Sequence, residues 1–291
     1  MRKKQKYQYL VNTLKRFTEK IKAYARLLGA DLVGISKLNA AFIYSHRGRK
    51  SYPNSESRGL PINLDHQYAI SLGFAENNTL IKSAPYVSEM VETGNAYLRS
   101  AVVSVVLADY IRKLGYPARA NHFRNYQVLP VPLAVEAGLG ELGRCGFLVT
   151  REFGNCLRLS TVTTDLPLFC DEPVDIGMQD FCRMCRLCAE ACPSGAIPKG
   201  AKIESRGYRR WMLDEVKCIT YWHKVGTDCG VCIGSCPWSL PDKWWHRVST
   251  NVAVRSHFAR VILLWLYPLL FGRYKPRATP GWLEKRRVLI K

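Results

Sequence analysis

The chain has 291 residues, of which 47% are apolar and 23% charged, so it can bury a core and is neither a disordered nor a fibrous protein. Its formal net charge of +20 favours a negatively charged partner, such as a nucleic acid, an anionic membrane surface or an acidic redox protein. The N-terminal region has no apolar h-region and no twin arginine, which predicts no export signal and a reducing, cytoplasmic environment. The eleven cysteines therefore point to metal binding or catalysis rather than to disulfides.

Helical and strand patterns alternate along the first part of the chain. Apolar residues at helical spacing over 14–28 predict a helix that ends at Gly29, and residues 30–36 and 66–74 are typical of strands. A long helix is predicted over 92–114. Its predicted inward face consists of Val102, Val103, Val106, Tyr110, Ile111 and Leu114. The remaining predicted elements are a short helix over 131–138 and strands over 146–150 and 158–166. This alternation predicts a domain of the α/β or α+β class over residues 1–170.

Two cysteine motifs follow a linker that starts at residue 171. The first has the spacing C-x2-C-x2-C-x3-C-P, and the second repeats C-x2-C-x3-C-P after a cysteine set back by ten intervening residues. A loop with two-residue gaps presents three thiolates to one [4Fe–4S] cube, while the cysteine before the proline reaches the other cube. One cube is therefore assigned to Cys182, Cys185, Cys188 and Cys236, and the other to Cys192, Cys218, Cys229 and Cys232. A zinc site would need only four ligands and would not require this interlocked pattern.

Three cysteines and a C-terminal tail lie outside these motifs. Cys145, Cys156 and Cys170 receive no role, since free cysteines usually behave as small buried hydrophobic residues. The cysteine motifs define a predicted domain over 171–245, followed by an apolar and basic tail over 246–291. Its apolar run over 261–271 is too short to span a bilayer and is expected to pack on the core or to dock peripherally at a membrane surface.

Several long motifs together resemble one known family. They are ADLVGIS, YSHRGR, VPLAVEAGLGELGRCGFLVT, RLSTVTTDLPL, CITYWHKVGTDCGVCIGSCPWS and FGRYKPRATPGWL, in family order from about residue 20 to about residue 285. In these motifs the chain resembles the corrinoid- and iron–sulfur-dependent reductive dehalogenases. The resemblance implies a nitroreductase-like cobalamin-binding domain followed by a ferredoxin-like domain with two [4Fe–4S] clusters. It also implies an organohalide substrate and an electron donor such as a ferredoxin, a flavodoxin or a membrane redox protein.

The same resemblance implies catalytic residues. In the family a tyrosine supplies a proton to the product carbon, and Tyr97 matches its position best, with Tyr86 in reserve. Arg144 matches the position of the cation that would stabilise the phenolate. Asn125 is a candidate for polarising the tyrosine or the halogen. His46 is not expected to bind cobalt, because the family binds cobalamin without a protein histidine.

Two other functions compete with dehalogenation at this stage. The epoxyqueuosine reductases, which act on tRNA, share the cobalamin and double-cluster plan and the CPW sequence that ends at Trp238. The net positive charge suits a tRNA. However, GELGRCG contains arginine and lacks the G-K-x-T sequence that those reductases typically have at this place, which disfavours a nucleic-acid substrate. The third alternative is an electron-transfer protein without substrate chemistry. The large α/β domain disfavours it, because two clusters alone do not need such a domain. The sequence leaves the oligomeric state open.

Overall fold

A computed structural model of the chain describes residues 2–48, 58–205, 208–239 and 243–283. The chain divides into two compact units. The first, here called the sheet unit, comprises Met1–Phe74, Ala96–Gly140 and Arg158–Val174. The second, here called the cysteine unit, comprises Ala75–Asn95, Glu141–Leu157 and Asp175–Lys291. The predicted boundaries after residues 170 and 245 stay a prediction.

The sheet unit is a four-stranded sheet covered by helices. Its elements are α1 (Arg2–Leu27), β1 (Leu32–Lys37), β2 (Tyr68–Ala75), the larger part of α3 (Val87–Lys113), β3 (Ala118–Asn121), α4 (Pro130–Glu136) and β6 (Leu157–Thr164). The strand order is β1-β2-β6-β3, with β1 antiparallel to β2 and β3 antiparallel to β6. The elements predicted from periodicity are therefore present, and the mixed α/β class is confirmed.

Two glycines are required by the backbone, one at a turn and one where a helix approaches the sheet closely. Gly29, two residues after the end of α1, has φ +111°, a conformation that favours glycine over other residues. Gly34 lies in the middle of β1, where a Cβ atom would collide with the carbonyl oxygen of Ala137 just after α4. Only a residue without a side chain therefore lets α4 pack directly on the sheet.

The core of the sheet unit lies between the sheet and helices α1 and α3. Ile21 of α1, Ile35 of β1 and Leu72 of β2 are almost completely buried there, beside Leu107 and Ile111 of α3. The predicted face of α3 is correct for Val103 and Ile111, which are buried. It is wrong for Val102, Val106, Tyr110 and Leu114, which are all at least 37% exposed.

The error on α3 has a simple physical reason. Apolar residues occur on several sides of this helix, so hydrophobicity alone does not identify the side that faces the sheet. The buried side consists of Ala96, Ser100, Val103, Leu107, Ala108 and Ile111. Small residues on this side let the helix approach the sheet closely.

The cysteine unit is built from short helices and hairpins. Its elements are α2 (Asn78–Ile81), the first part of α3, β4 (Glu141–Leu142), β5 (Leu148–Val149), α5 (Met178–Cys185), α6 (Leu187–Ala191), β7 (Ile203–Ser205), β8 (Tyr208–Arg210), α7 (Glu215–Val225), α8 (Val231–Gly234), α9 (Trp244–Arg255) and α10 (His257–Phe271). The strands pair as two antiparallel hairpins, β4-β5 and β7-β8. Apolar residues from β5, α5 and α9 pack around Trp238, whose ring meets Phe181 edge-on at 5.0 Å between ring centroids.

The corrected face of α3 predicts two different mutational effects. Leu107→Ala removes a completely buried side chain and should lower the free energy of unfolding by about 2–5 kcal/mol. Val102→Ala changes a side chain that is 54% exposed, so its effect should stay within about 0.5 kcal/mol. Denaturant unfolding followed by circular dichroism measures both values. Equal losses in the two variants would contradict this assignment of the buried face.

Candidate functional site: two four-cysteine sites and a tyrosine–arginine pair

Helices α5 and α6 carry the first cysteine motif. The start of α5 is held by the Glu141 carboxylate, which accepts backbone N–H bonds from Ile176 at 2.8 Å and from Met178 at 2.9 Å. Helix α5 ends at Cys185, and the next residue, Arg186, has a left-handed φ of +54°. This turn separates α5 from α6 within a single residue. The chain can therefore present cysteines from two successive short helices to one place.

Cysteines line one cavity in the cysteine unit. They are Cys182, Cys185, Cys188 and Cys236, together with Cys145, and the cavity volume of about 340 Å³ includes space open to solvent. A [4Fe–4S] cube needs one thiolate for each of its four irons, and this donor set fits that requirement. The structure thus brings together the four residues that the sequence assigns to one cube, although Cys236 is distant from the others in sequence.

The other four predicted ligands also lie close to one another. The thiols of Cys192, Cys218, Cys229 and Cys232 are near enough for their charges to interact. Cys218 is on α7 and Cys232 is on α8. Cys229 and the following Gly230 both have positive φ, at +68° and +62°, and this tight turn opens α8. The second set is therefore collected from three separate segments of the unit.

Burial makes these thiols difficult to ionise in the absence of metal. It raises the pKa of Cys182 to about 12 and the pKa values of Cys185 and Cys229 to about 11. Burial also raises the pKa of Cys232 and of Cys236, and nearby cysteines add to the effect. Iron binds the thiolate, so cluster assembly must displace these protons, and the metal then neutralises charge that the buried site would otherwise carry.

Arg144 is buried beside the first set. Its side chain donates to the carbonyl oxygens of Cys182 at 3.0 Å, Pro198 at 2.8 Å and Gly200 at 3.0 Å, and more weakly to that of Arg183. Its guanidinium also lies over the Trp211 ring at 4.6 Å. Arg144 thus connects the first cysteine motif to the segment that follows it. Its predicted role as the cation beside a tyrosine stays a prediction.

Tyr97 lies on α3 within the sheet unit. Its ring stacks on Phe123 with centroids 4.3 Å apart and an interplanar angle of 21°. The guanidinium of Arg158 lies over the Tyr97 ring, 5.5 Å from its centroid. The sequence analysis missed Arg158. The available signal was a charged residue inside the otherwise buried strand β6.

Asn125 belongs to a polar network in the same unit. Its side-chain oxygen accepts from Arg119 at 2.8 Å, and Arg119 also donates to the side-chain oxygen of Asn121 at 2.9 Å. Burial lowers the pKa of Arg119 to about 10. Nearby, the Tyr126 hydroxyl donates to the carbonyl of Leu159 at 2.9 Å, and burial raises the pKa of this phenol. The polarising role of Asn125 stays a prediction.

The remaining predicted residues have ordinary surroundings. Tyr86, the reserve acid, belongs to the cysteine unit and is 53% exposed. His46 forms an isolated β-bridge with Pro61 in the sheet unit. Neither position by itself assigns a chemical role.

The tail forms helices α9 and α10 of the cysteine unit, and residues 284–291 lie outside the described part. Leu263 and Leu264 of α10 pack against the cluster of apolar residues around Trp238. Arg260 donates to the Asp180 carboxylate at 2.7 Å and fills the space where a side chain on Gly177 would lie. None of the helices in the described ranges combines the length and apolarity needed to cross a membrane.

Comparisons with known proteins identify one domain of the chain and several relatives. Residues 181–240 match the 4Fe-4S dicluster domain, so the chain carries a domain for two such clusters. Tetrachloroethene reductive dehalogenase of Desulfitobacterium hafniense strain Y51 is 33% identical, over 84% of this chain and 52% of that protein. The enzyme of the same name from Sulfurospirillum multivorans is 34% identical, over 91% of this chain and 58% of that protein. The chain therefore spans about half the length of these curated relatives.

Solved structures support the same fold. The catabolic reductive dehalogenase NpRdhA in complex with 3-bromo-4-hydroxybenzoic acid superposes with a TM-score of 0.81 at 31% identity, covering 88% of this chain and 36% of that one. Epoxyqueuosine reductase from Streptococcus thermophilus superposes with a TM-score of 0.51 at 21% identity, covering 76% of this chain and 65% of that one, which shows a related fold alone.

The position of Arg144 predicts a structural phenotype. Arg144→Ala leaves several main-chain carbonyls without their donor, so we expect a loss of about 2–4 kcal/mol in stability and a lower iron content after reconstitution. Arg183→Ala is the matched control, because its side chain is 71% exposed and pairs with the Asp180 carboxylate at 2.7 Å. Thermal unfolding and iron analysis measure both effects. Normal stability and iron content in Arg144→Ala, with only the reaction slowed, would instead favour the predicted role beside the tyrosine.

Proposed function

Because the chain belongs to the corrinoid- and iron–sulfur-dependent reductive dehalogenase family, we propose that it removes halogen reductively from an organohalide. The observation that carries this proposal is the combination, in one chain, of a tyrosine–arginine pair with two four-thiol sites. A plain electron-transfer protein would need only the thiol sites. The proposed electron donor is an acidic ferredoxin, a flavodoxin or a membrane redox protein, which the positive net charge would attract.

The proposed reaction consumes two electrons and one proton for each halogen removed. The carbon–halogen bond breaks, halide leaves, and a carbon–hydrogen bond takes its place. One cluster would be held by Cys182, Cys185, Cys188 and Cys236 and the other by Cys192, Cys218, Cys229 and Cys232, and both would supply single electrons taken from the donor. Cobalamin, the family's corrinoid, would supply reduced cobalt for breaking the carbon–halogen bond.

Tyr97 is the proposed proton donor to the product carbon. An ordinary phenol has a pKa near ~10, and a cation nearby makes its phenolate easier to form. Arg158 lies over the ring and is proposed as a cation in addition to the predicted Arg144, with Asn125 as the proposed polarising residue. Phe123 is 42% exposed beside Tyr97, and this apolar face fits the stacking of a planar organic group.

A substrate panel tests the proposed function directly. The chain would be reconstituted anaerobically with iron, sulfide and cobalamin, and reduced with a low-potential donor. We expect halide release from at least one member of a panel of chloroethenes and halophenols. Conversion of an epoxyqueuosine-containing RNA without halide release would move the function to the epoxyqueuosine reductases, one of which is 24% identical over 79% of this chain. Turnover of neither substrate class would favour electron transfer alone.

Changing one cysteine should remove one cluster and leave the other in place. The wild type should bind about eight irons per chain, and Cys192→Ser should lower this number towards about four. The cluster held by Cys182, Cys185 and Cys188 should keep its signal in the electron paramagnetic resonance (EPR) spectrum. Iron analysis and EPR of the reduced protein measure this. About four irons in the wild type, or stoichiometric zinc, would refute the assignment.

Changing the proposed acid should slow the reaction without loss of cofactors. Tyr97→Phe keeps the ring but removes the acidic hydrogen, and halide release should fall by about 10²- to 10⁴-fold. Arg158→Ala should also slow the reaction, and the double variant should be little worse than Tyr97→Phe, because both residues serve one proton transfer. Tyr86→Phe is the control. Full activity in Tyr97→Phe together with a loss in Tyr86→Phe would move the acid to Tyr86.

A further inference from the structure

Helix α10 is apolar on the side that faces away from the cysteine unit. Five apolar residues follow one another at helical spacing along this side, and each is between 40% and 71% exposed. They are Phe258, Val261, Ile262, Trp265 and Leu269. Leu263 and Leu264 instead pack against the apolar residues around Trp238. The helix is therefore apolar both where the unit covers it and where the unit leaves it open.

Helix α9 adds a second exposed apolar side. Trp244, Val248 and Val252 lie four positions apart, so they share one side of α9, and they are 76%, 53% and 48% exposed. The two helices contact each other, and Trp245 of α9 stacks on Phe271 of α10 with ring centroids 6.4 Å apart. These eight exposed apolar residues thus belong to one packed helix pair. They are called here the α9–α10 surface.

The charges around this surface have one sign. Residues 243–283 contain seven Lys or Arg and no Asp or Glu. One of the seven, Arg260, pairs with Asp180, and the other six are exposed. These six are Lys243, Arg247, Arg255, Arg273, Lys275 and Arg277. Such a segment attracts an anionic surface, and it contains no carboxylate that would repel one.

The combination fits a lipid surface better than a protein partner. Helices that lie in a membrane interface carry Trp, Phe and Leu on one side with Lys and Arg beside them, and Trp prefers the boundary between lipid and water. Protein interfaces contain about one hydrogen bond per 100–200 Å². The α9–α10 surface offers only the indole N–H groups of Trp244 and Trp265 for such bonds. With 15 residues, α10 is about 22 Å long, shorter than the roughly 30 Å of bilayer hydrocarbon, so it would lie along the membrane.

We propose that the α9–α10 surface docks the chain peripherally on an anionic lipid bilayer. Its apolar side chains enter the headgroup region, and the six exposed cations lie near the lipid phosphates. The proposal does not rest on the proposed reaction, since α9 and α10 carry neither a cluster ligand nor the tyrosine–arginine pair. Halide release from a soluble substrate and binding to lipid are therefore separate measurements.

Sedimentation with vesicles tests the proposal on the reconstituted full chain. Vesicles of phosphatidylcholine alone are compared with vesicles of equal parts phosphatidylcholine and phosphatidylglycerol. We expect binding to the anionic vesicles at 0.1 M salt and weaker binding at 1 M salt, where the screening length falls from about 10 Å to about 3 Å. Absence of binding, or equal binding to both kinds of vesicle, would overturn the proposal.

Two variants separate the apolar contribution from the charge. Trp265→Gln should weaken vesicle binding by about tenfold or more, because a large apolar side chain no longer leaves water. Arg273→Gln should weaken it by about fivefold. Leu27→Gln is the matched control: Leu27 is 82% exposed in the sheet unit, so this variant should bind as the wild type does. Unchanged binding in Trp265→Gln would show that net charge alone attracts the lipid, and the proposal would be wrong.

A second measurement decides if Trp265→Gln does not fold. Trp265→Phe keeps a large apolar ring and should bind normally. Lipids brominated in their acyl chains should quench less of its tryptophan fluorescence than of the wild type's, and equal quenching would contradict insertion of Trp265. Sedimentation velocity without lipid tests the other occupant. A dimer that Trp265→Phe or Trp265→Gln weakens, in a protein that binds no vesicles, would assign this surface to a second copy of the chain and overturn the proposal.

Discussion

The cysteine unit depends on one short helix that must serve two metal sites. Helix α6 has five residues; Cys188 lies within it, and Cys192 follows its last residue. Cys188 belongs to the set around the cavity, and Cys192 belongs to the set that includes Cys218. If each set holds one cube, as proposed, the two cubes are neighbours on one turn of helix, an arrangement that suits the transfer of single electrons between them.

The same constraint explains why the unit draws its ligands from distant parts of the chain. Cys236 is the last cysteine of the second motif but lines the cavity with the first set, and Cys192 ends the first motif but is assigned to the second set, so each set takes ligands from both motifs. Burial raises the pKa values of Cys182 and Cys236, and iron is needed to compensate the charge when these thiols ionise. Assembly of the clusters and folding of this unit are therefore expected to be coupled.

Interactions outside the motifs hold the ligand-bearing segments in place. Glu141 accepts from the backbone at the start of α5, and Arg144 donates to carbonyls near its end and in the following segment. Arg260 of α10 pairs with Asp180 on α5. The charged side chains of these residues form hydrogen bonds with backbone groups or ion pairs with one another. The cysteine spacing by itself contains no information about them.

The sequence predicted what depends on local spacing and missed what depends on contacts between distant residues. The cysteine sets could be assigned because a short loop around a cube imposes its own spacing. Most strands and helices of the sheet unit followed from their periodicity, but the short strand β3 did not. The buried side of α3 did not, since apolar residues lie on several of its sides. Arg158 lies over Tyr97 from a segment remote in sequence, and no local pattern connects the two residues.

The most direct test of this account is anomalous diffraction at the iron absorption edge from crystals of the reconstituted chain. The account predicts two separate iron clusters. One should lie inside the cavity lined by Cys182, Cys185, Cys188 and Cys236, and the other among Cys192, Cys218, Cys229 and Cys232. A single iron cluster, or an anomalous signal at the zinc edge in either place, would contradict it.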